Sequence, residues 1–252
     1  MTQSDDLKLL LSKADDAVVI SENKYMVKAV GFMTPAEKNF IEKNVKRPID
    51  GRIIYFGGYD DAERTLMIVI PEYISDEDAK AEISVLQIKA RYLKEMNHRD
   101  FLGSLMGLGI KREMVGDILV YEDRCIIFVR SEIKEYIINN LDKIGRHGIE
   151  ITECPLNEIN IPQRNTEKIN GTVAGIRLDS VLAVALKTSR SRATEFIIGG
   201  LVSLNWEETV SLSKGISEGD VISVRGKGRF KVSRIGNITK KGRYSITVEK
   251  YI

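Results

Sequence analysis

Between residues 76 and 160 the apolar residues switch repeatedly between strand-type and helix-type spacing, and few folds accommodate that order. Ile83 to Tyr92 reads as a strand. Arg99 to Leu108 then carries Phe101, Leu102, Leu105, Met106 and Leu108 at helical spacing. Ile118 to Tyr121 and Arg124 to Val129 are strand runs around the turn Glu122-Asp123. Glu132 to Ile144 returns to the helical period through Ile133, Tyr136, Ile137 and Leu141, with Gly145 as a stop. Ile149 to Thr152 supplies the last strand. The order βαββαβ predicts a ferredoxin-like α+β sandwich, the architecture that RRM modules also use. Function does not follow from it, because an RRM stacks bases on sheet aromatics and Arg124 to Val129 offers only Phe128.

The flanks divide the chain further. Residues 1–75 read as an N-terminal α/β region that opens with helical patterning. Thr34-Pro35-Ala36-Glu37 supplies an N-cap, a proline at the first helical position and an acidic first turn, which predicts a helix over Pro35 to Asn44. Arg52 to Phe56 and Thr65 to Ile70 are β-branched and aromatic runs flanking Gly57-Gly58-Tyr59-Asp60-Asp61, a hairpin pattern that Pro71 ends. Asn157 to Asn170, with Pro155 and Pro162 around it and little periodicity, reads as a linker centred on residues 161–170, so the final domain is expected over 171–252.

Charge is divided unevenly between these parts. From Arg164 to Ile252 there are 16 Lys and Arg against 8 Asp and Glu, whereas Met1 to Gln163 holds 22 against 28. A surplus of cations at one end marks a surface for a polyanion. The opening Met1-Thr2-Gln3-Ser4-Asp5-Asp6 is polar and acidic, and no apolar run approaches the roughly 20 residues that span a bilayer, so a cytoplasmic protein without membrane insertion is expected. Cys125, Cys154, His98 and His147 have no metal-ligand or redox spacing, which predicts a reduced chain with no metal and no cofactor.

The basic end has its own pattern. After Arg177, residues Leu178, Val181, Leu182 and Ala185 form one apolar helical stripe. A second helix starts within Thr188-Ser189-Arg190-Ser191-Arg192-Ala193, whose hydroxyls cap free N–H groups, and runs to Gly199-Gly200. Unpaired N–H donors and positive dipole gather at such a start, and Arg190 and Arg192 add charge to it. Leu201 to Asn205, Thr209 to Leu212 and Val221 to Arg225 follow as strands, and Lys227, Arg229 and Lys231 alternate onto one strand face.

Arg177-Leu178-Asp179, Ser189-Arg190-Ser191, Gly200-Leu201-Val202 and Gly219-Asp220-Val221-Ile222-Ser223-Val224-Arg225, in this order, resemble the successive signatures of the S4 RNA-binding domain. The wider chain narrows the match. Phe56-Gly57-Gly58-Tyr59 with Glu63-Arg64, His98-Arg99-Asp100-Phe101-Leu102-Gly103, Met106 to Arg112, Asn205-Trp206 and Arg225 to Phe230 are similar to the YlmH-type S4 proteins. That resemblance implies a bacterial, non-catalytic binder of structured RNA, with an RRM-like middle domain over 76–160 and a C-terminal S4 domain, a helix pair on a small antiparallel sheet. It implies ribosomal RNA of the large subunit, with tRNA on the ribosome, as partner, and a role in quality control of stalled peptidyl-tRNA complexes. A monomer is expected. The candidate RNA-binding residues are Arg177, Lys187, Ser189, Arg190, Ser191, Arg192, Arg225, Lys227 and Arg229.

Other motifs have plainer readings. His98-Arg99-Asp100 resembles a kinase catalytic loop, but the position of its magnesium-binding asparagine is Leu105, and a capped helix start explains it. Gly103, Gly107 and Gly109 lack the context of a nucleotide fingerprint, and Trp206 reads as a packing anchor. Two alternatives stay open. One is an RNA-modifying enzyme of the pseudouridine synthase kind, although no catalytic carboxylate constellation stands out in the first 160 residues. The other is a protein-interaction adaptor at the ribosome or divisome.

Overall fold

Residues 3–159, 161, 166–239 and 242–251 are described by a computed structural model, and they fall into two units, 1–160 and 161–252. Residues 162–165, in the expected linker, lie outside the described set.

The first unit opens with helix α1 (Gln3–Lys24) and strand β1 (Lys28–Met33), followed by α2 (Pro35–Asn44), β2 (Arg52–Phe56) and β3 (Thr65–Ile70). The α2 helix begins where its cap predicts. Glu37 N–H donates to Thr34 Oγ1 at 3.3 Å while Thr34 N–H donates to the Glu37 carboxylate, so both orphan donors are satisfied. The strands pair antiparallel in the order β1-β3-β2. As the central strand, β3 is buried at every position, which is why Thr65 to Ile70 shows no polar alternation. Ala14, Ala17 and Val18 of α1 close one side against Met33, Ile41 and Met67.

Helix α3 (Asp76–Lys80) leads into β4 (Ile83–Lys89), α4 (His98–Gly107), β5 (Val115–Val120), β6 (Cys125–Arg130) and α5 (Lys134–Asn140). A short hairpin of β7 (Lys143–Ile144) and β8 (His147–Gly148) precedes β9 (Glu150–Cys154). The four long strands lie antiparallel in the order β5-β6-β4-β9, so the first and third strands of a β-α-β-β-α-β run are central. Two expected elements are shorter than their patterning suggested. The first strand stops at Lys89, and the helix expected to reach Ile144 stops at Asn140, whose side-chain amide takes the Tyr136 carbonyl at 2.7 Å. Gly145, at φ +58, turns the β7–β8 hairpin instead of ending a helix.

One face of this sheet packs Leu86, Ile88, Ile127 and Val129 against Phe101, Leu105 and Ile137 of α4 and α5. Side chains alternate, so Phe128 points to the opposite face. There it is fully buried, and the loop between β2 and β3 covers it. A Cβ at Gly58 would stand 2.2 Å from the Phe128 ring, and Gly58 holds φ +102, so only glycine seats this loop on the sheet.

The second unit contains β10 (Thr166–Val173), α6 (Leu178–Ala185), α7 (Arg190–Ile198), β11 (Val202–Leu204), β12 (Glu207–Glu208), β13 (Val221–Val224), β14 (Gly228–Ile238) and β15 (Tyr244–Tyr251). Their sheet runs β10-β15-β14-β13-β11-β12, every pairing antiparallel. Much of the segment expected to be linker is therefore strand: β10 pairs with β15 over eight residues. Its polarity hid it, because only Ile169 and Val173 of this edge strand are buried. Leu178, Val181, Leu182 and Ala185, the predicted stripe, join Ala193 and Ile197 in the core beneath the helix pair. Among the described residues no helix is long and apolar enough to cross a membrane.

Candidate nucleic-acid interface

The joint between α6 and α7 is built around Asp179. Its side chain is 5% exposed, and a carboxylate so placed must be paired. Asp179 Oδ1 accepts from Ser180 N–H at 2.8 Å, and Oδ2 accepts from Arg190 Nε at 2.7 Å and from an Arg177 Nη at 3.3 Å. Arg177, the N-cap residue of α6, and Arg190, the first residue of α7, keep side chains that are 46% and 55% exposed. One buried acid thus orients two arginines whose side chains stay about half exposed. The contact between Arg177 and Asp179, two residues apart in the chain, thereby extends to Arg190, eleven residues beyond Asp179.

The turn between the helices is equally constrained. Thr188 N–H donates to Ala183 O and Lys187 N–H to Val184 O, a closure that puts Lys187 in the left-handed region at φ +49. Glycine is the usual occupant of that position. Here a lysine occupies it, and its ammonium reaches Glu167 on β10 at 2.7 Å. That bond, with the lysine's charge, holds the Glu167 carboxyl below its ordinary range. Ser189 caps α7 by accepting from Arg192 N–H at 3.2 Å, and Ser191 is exposed on the first turn. Arg192 pairs with Glu195 and lies 5.6 Å from the centre of the Phe196 ring.

The remaining candidates belong to the β13–β14 hairpin. Arg225 and Lys227 are exposed on either side of Gly226, and Arg229 is half-buried opposite Ser223. Arg225 and Arg229 line a shallow hollow of about 400 Å³, whereas Lys187 and Arg190 line a larger groove of about 740 Å³. The candidates thus fall into two sets, one at the helix joint and one at the hairpin. Lys168 and Arg243 also line the larger groove and were missed in the sequence, since neither stands in a recognisable motif. Trp206, at φ +65, buries its indole nitrogen, as a packing residue does.

The motifs of the first unit converge as well. The buried Asp117 carboxylate accepts from Tyr59 OH at 2.7 Å, Glu63 N–H at 2.7 Å and Arg64 N–H at 3.1 Å, fastening the β2–β3 loop to β5. Arg64 and Arg112 both donate to Val115 O. Burial, then the Arg64 charge, pushes the Arg112 guanidinium down to about 10. Burial followed by the Arg112 charge also lowers the His98 imidazole. Asp100 accepts from Asn97 N–H at 2.8 Å, so His98-Arg99-Asp100 is a capped helix start. Tyr59 lies 5.2 Å from Phe128, ring centre to ring centre, and helps close the sheet face on which an RRM would stack bases.

Residues 76–158 match the family model described as "Putative RNA-binding domain in YlmH". The ribosome-associated protein quality control protein P2 of Bacillus subtilis is 31% identical over 246 residues, which cover 97% of this chain and 95% of that one. A solved structure described as cell division protein ylmH from Streptococcus pneumoniae superposes with a TM-score of 0.50 at 22% identity, over 63% of this chain and 95% of that one. With the family model matched across the middle of the chain and a relative aligned along almost all of it, this chain belongs to the YlmH family.

Proposed function

We propose that this protein binds structured RNA without altering it, and that its target is large-subunit ribosomal RNA in complexes stalled with peptidyl-tRNA. The observation that carries this reading is the buried Asp179 carboxylate, which holds Arg177 and Arg190 together while their side chains stay about half exposed. Paired guanidinium forks suit phosphate oxygens, and preorganised ones lose little entropy on binding. Lys187, Ser189, Ser191 and Arg192 flank Arg190 in the chain, and Arg225, Lys227 and Arg229 form a second basic set. The strand order β5-β6-β4-β9 in the second half of the first unit supports a ferredoxin-like, RRM-like reading of that part, and the α6–α7 pair with its antiparallel sheet supports an S4 reading of the second unit. A monomeric, cytoplasmic protein acting as the relative's name describes fits this set of features.

Co-sedimentation with purified large subunits tests the reading. Arg177→Ala with Arg190→Ala should weaken association by roughly 1–3 kcal/mol per lost charged contact. Asp179→Asn is the sharper variant. It removes a negative charge and so should tighten binding if charge alone matters, but it should weaken binding if the acid's role is to orient the arginines. Unchanged sedimentation of both variants would move the RNA surface elsewhere. A modified nucleotide in the recovered RNA would replace binding with catalysis.

A further inference from the structure

The groove of about 740 Å³ runs between β10 and the α6–α7 joint. Lys168 stands on β10, Lys187 and Arg190 at the helix joint, and Arg243 just before β15. Among the described residues no carboxylate lines it. Its floor is narrow because β10 and α6 approach closely: a Cβ at Gly171 would lie 2.5 Å from a Val184 methyl. Arg243 is already positioned, donating from Nη2 to Thr172 O at 2.7 Å and from Nε to Thr172 Oγ1 at 3.1 Å.

The two lysines have partners of a different kind. Lys187 meets Glu167 at 2.7 Å, with side chains 63% and 45% exposed, and Lys168 meets Glu249 at 4.0 Å. Solvated pairs like these are worth about 0–1 kcal/mol, so a phosphate arriving in the groove displaces them at small cost. Lys187 also holds its left-handed backbone conformation without being glycine, at a cost of about 1–2 kcal/mol. Strain kept at a position where a cation faces an open groove points to use of that cation.

From this geometry we infer that the groove takes the sugar–phosphate backbone of an RNA strand, with Lys168, Lys187, Arg190 and Arg243 on successive phosphates. The inference rests on the RNA-binding reading and extends it from the helix joint onto the edge strand and Arg243. Among the described residues no aromatic side chain lines the groove, so bases are not stacked there and contact is independent of sequence. The phosphates come from a single strand or from one strand of a helix.

The full-length protein is titrated with an oligouridylate of about ten nucleotides, within the 4–16 that comparable single-strand grooves cover, and with a hairpin RNA of equal length, over a range of salt. Lys168→Glu and Arg243→Gln are compared singly and together. Lys168→Glu alters a side chain 69% exposed, and although it faces Glu249 on β15 such a cross-strand pair is worth only about 0.2–1 kcal/mol, so it keeps the test valid if Arg243→Gln disturbs the sheet. Lys143→Glu, exposed in the other unit, makes the same charge change outside the groove-bearing unit. The double variant should lose roughly tenfold in affinity or more, and its log–log salt slope should flatten by about 1.4–1.8, with Lys143→Glu near wild type. Loss confined to the oligouridylate assigns a single strand, and loss confined to the hairpin assigns a helix. Wild-type affinity and slope for both RNAs in the groove variants would overturn the inference while leaving RNA binding in place. A wild-type protein that binds neither RNA would overturn the RNA-binding reading itself.

Discussion

Lys187 shows how much one residue decides. Its φ of +49 follows from the helix closure, in which Thr188 N–H reaches back to Ala183 O at 2.9 Å. Glycine would adopt that conformation without the Cβ penalty. Lys187→Gly should therefore leave the second unit as stable as wild type or up to about 1 kcal/mol more stable, the gain being set by the strain relieved against glycine's larger unfolded-state entropy. It should also weaken RNA binding, because the ammonium is gone. Urea denaturation and an RNA titration on the same sample check both halves. A lower stability would mean that the Lys187–Glu167 contact outweighs the backbone strain.

At the level of elements, β10 changes where the second unit begins. A fragment of residues 161–252 keeps all eight pairings between β10 and β15, and it should fold alone. A fragment beginning at Gly171 loses the pairs from Thr166 to Asn170 and with them the burial of Ile169. That side chain alone is worth about 1.5–3 kcal/mol, which lowers the melting temperature of a domain this size by roughly 10 °C. Thermal melts of the two fragments followed by circular dichroism make the comparison, and equal midpoints would show that β10 is not integral. The β2–β3 loop is the corresponding element of the first unit. Gly58 on Phe128 and Asp117 on the loop backbone close a sheet face that the RRM pattern alone would leave open.

Across the whole molecule, charge and fold divide at the same place. The unit 161–252 carries 16 Lys and Arg against 8 Asp and Glu, and 1–160 carries 22 against 28. At matched ionic strength the second unit should therefore retain most of the affinity for ribosomal RNA, with a log–log salt slope near −0.7 to −0.9 for each phosphate contacted. The first unit, net acidic, should bind more weakly and with a shallower slope. Filter binding of each fragment across a salt series measures this, and a first unit that binds as tightly as the second would place a comparable surface on the matched RNA-binding domain.

What the sequence determined by itself was whatever depends on local spacing. The capped start of α2, the apolar stripe of α6, the order of strands and helices from Ile83 to Cys154 and the cationic start of α7 could all be read from neighbouring residues. The polar edge strand was not legible, because a strand that buries two side chains in eight has no period to detect. Nor were the partners of the buried acids. Asp179 meets Arg190, and Asp117 meets Tyr59 and the Arg64 backbone, only because the tertiary fold brings separate segments together. The basic groove is of the same kind. Lys168 and Arg243 lie 75 residues apart in the chain, and the pairing of β10 with β15 puts them on one wall. Their shared use is a property of sheet register and not of sequence spacing.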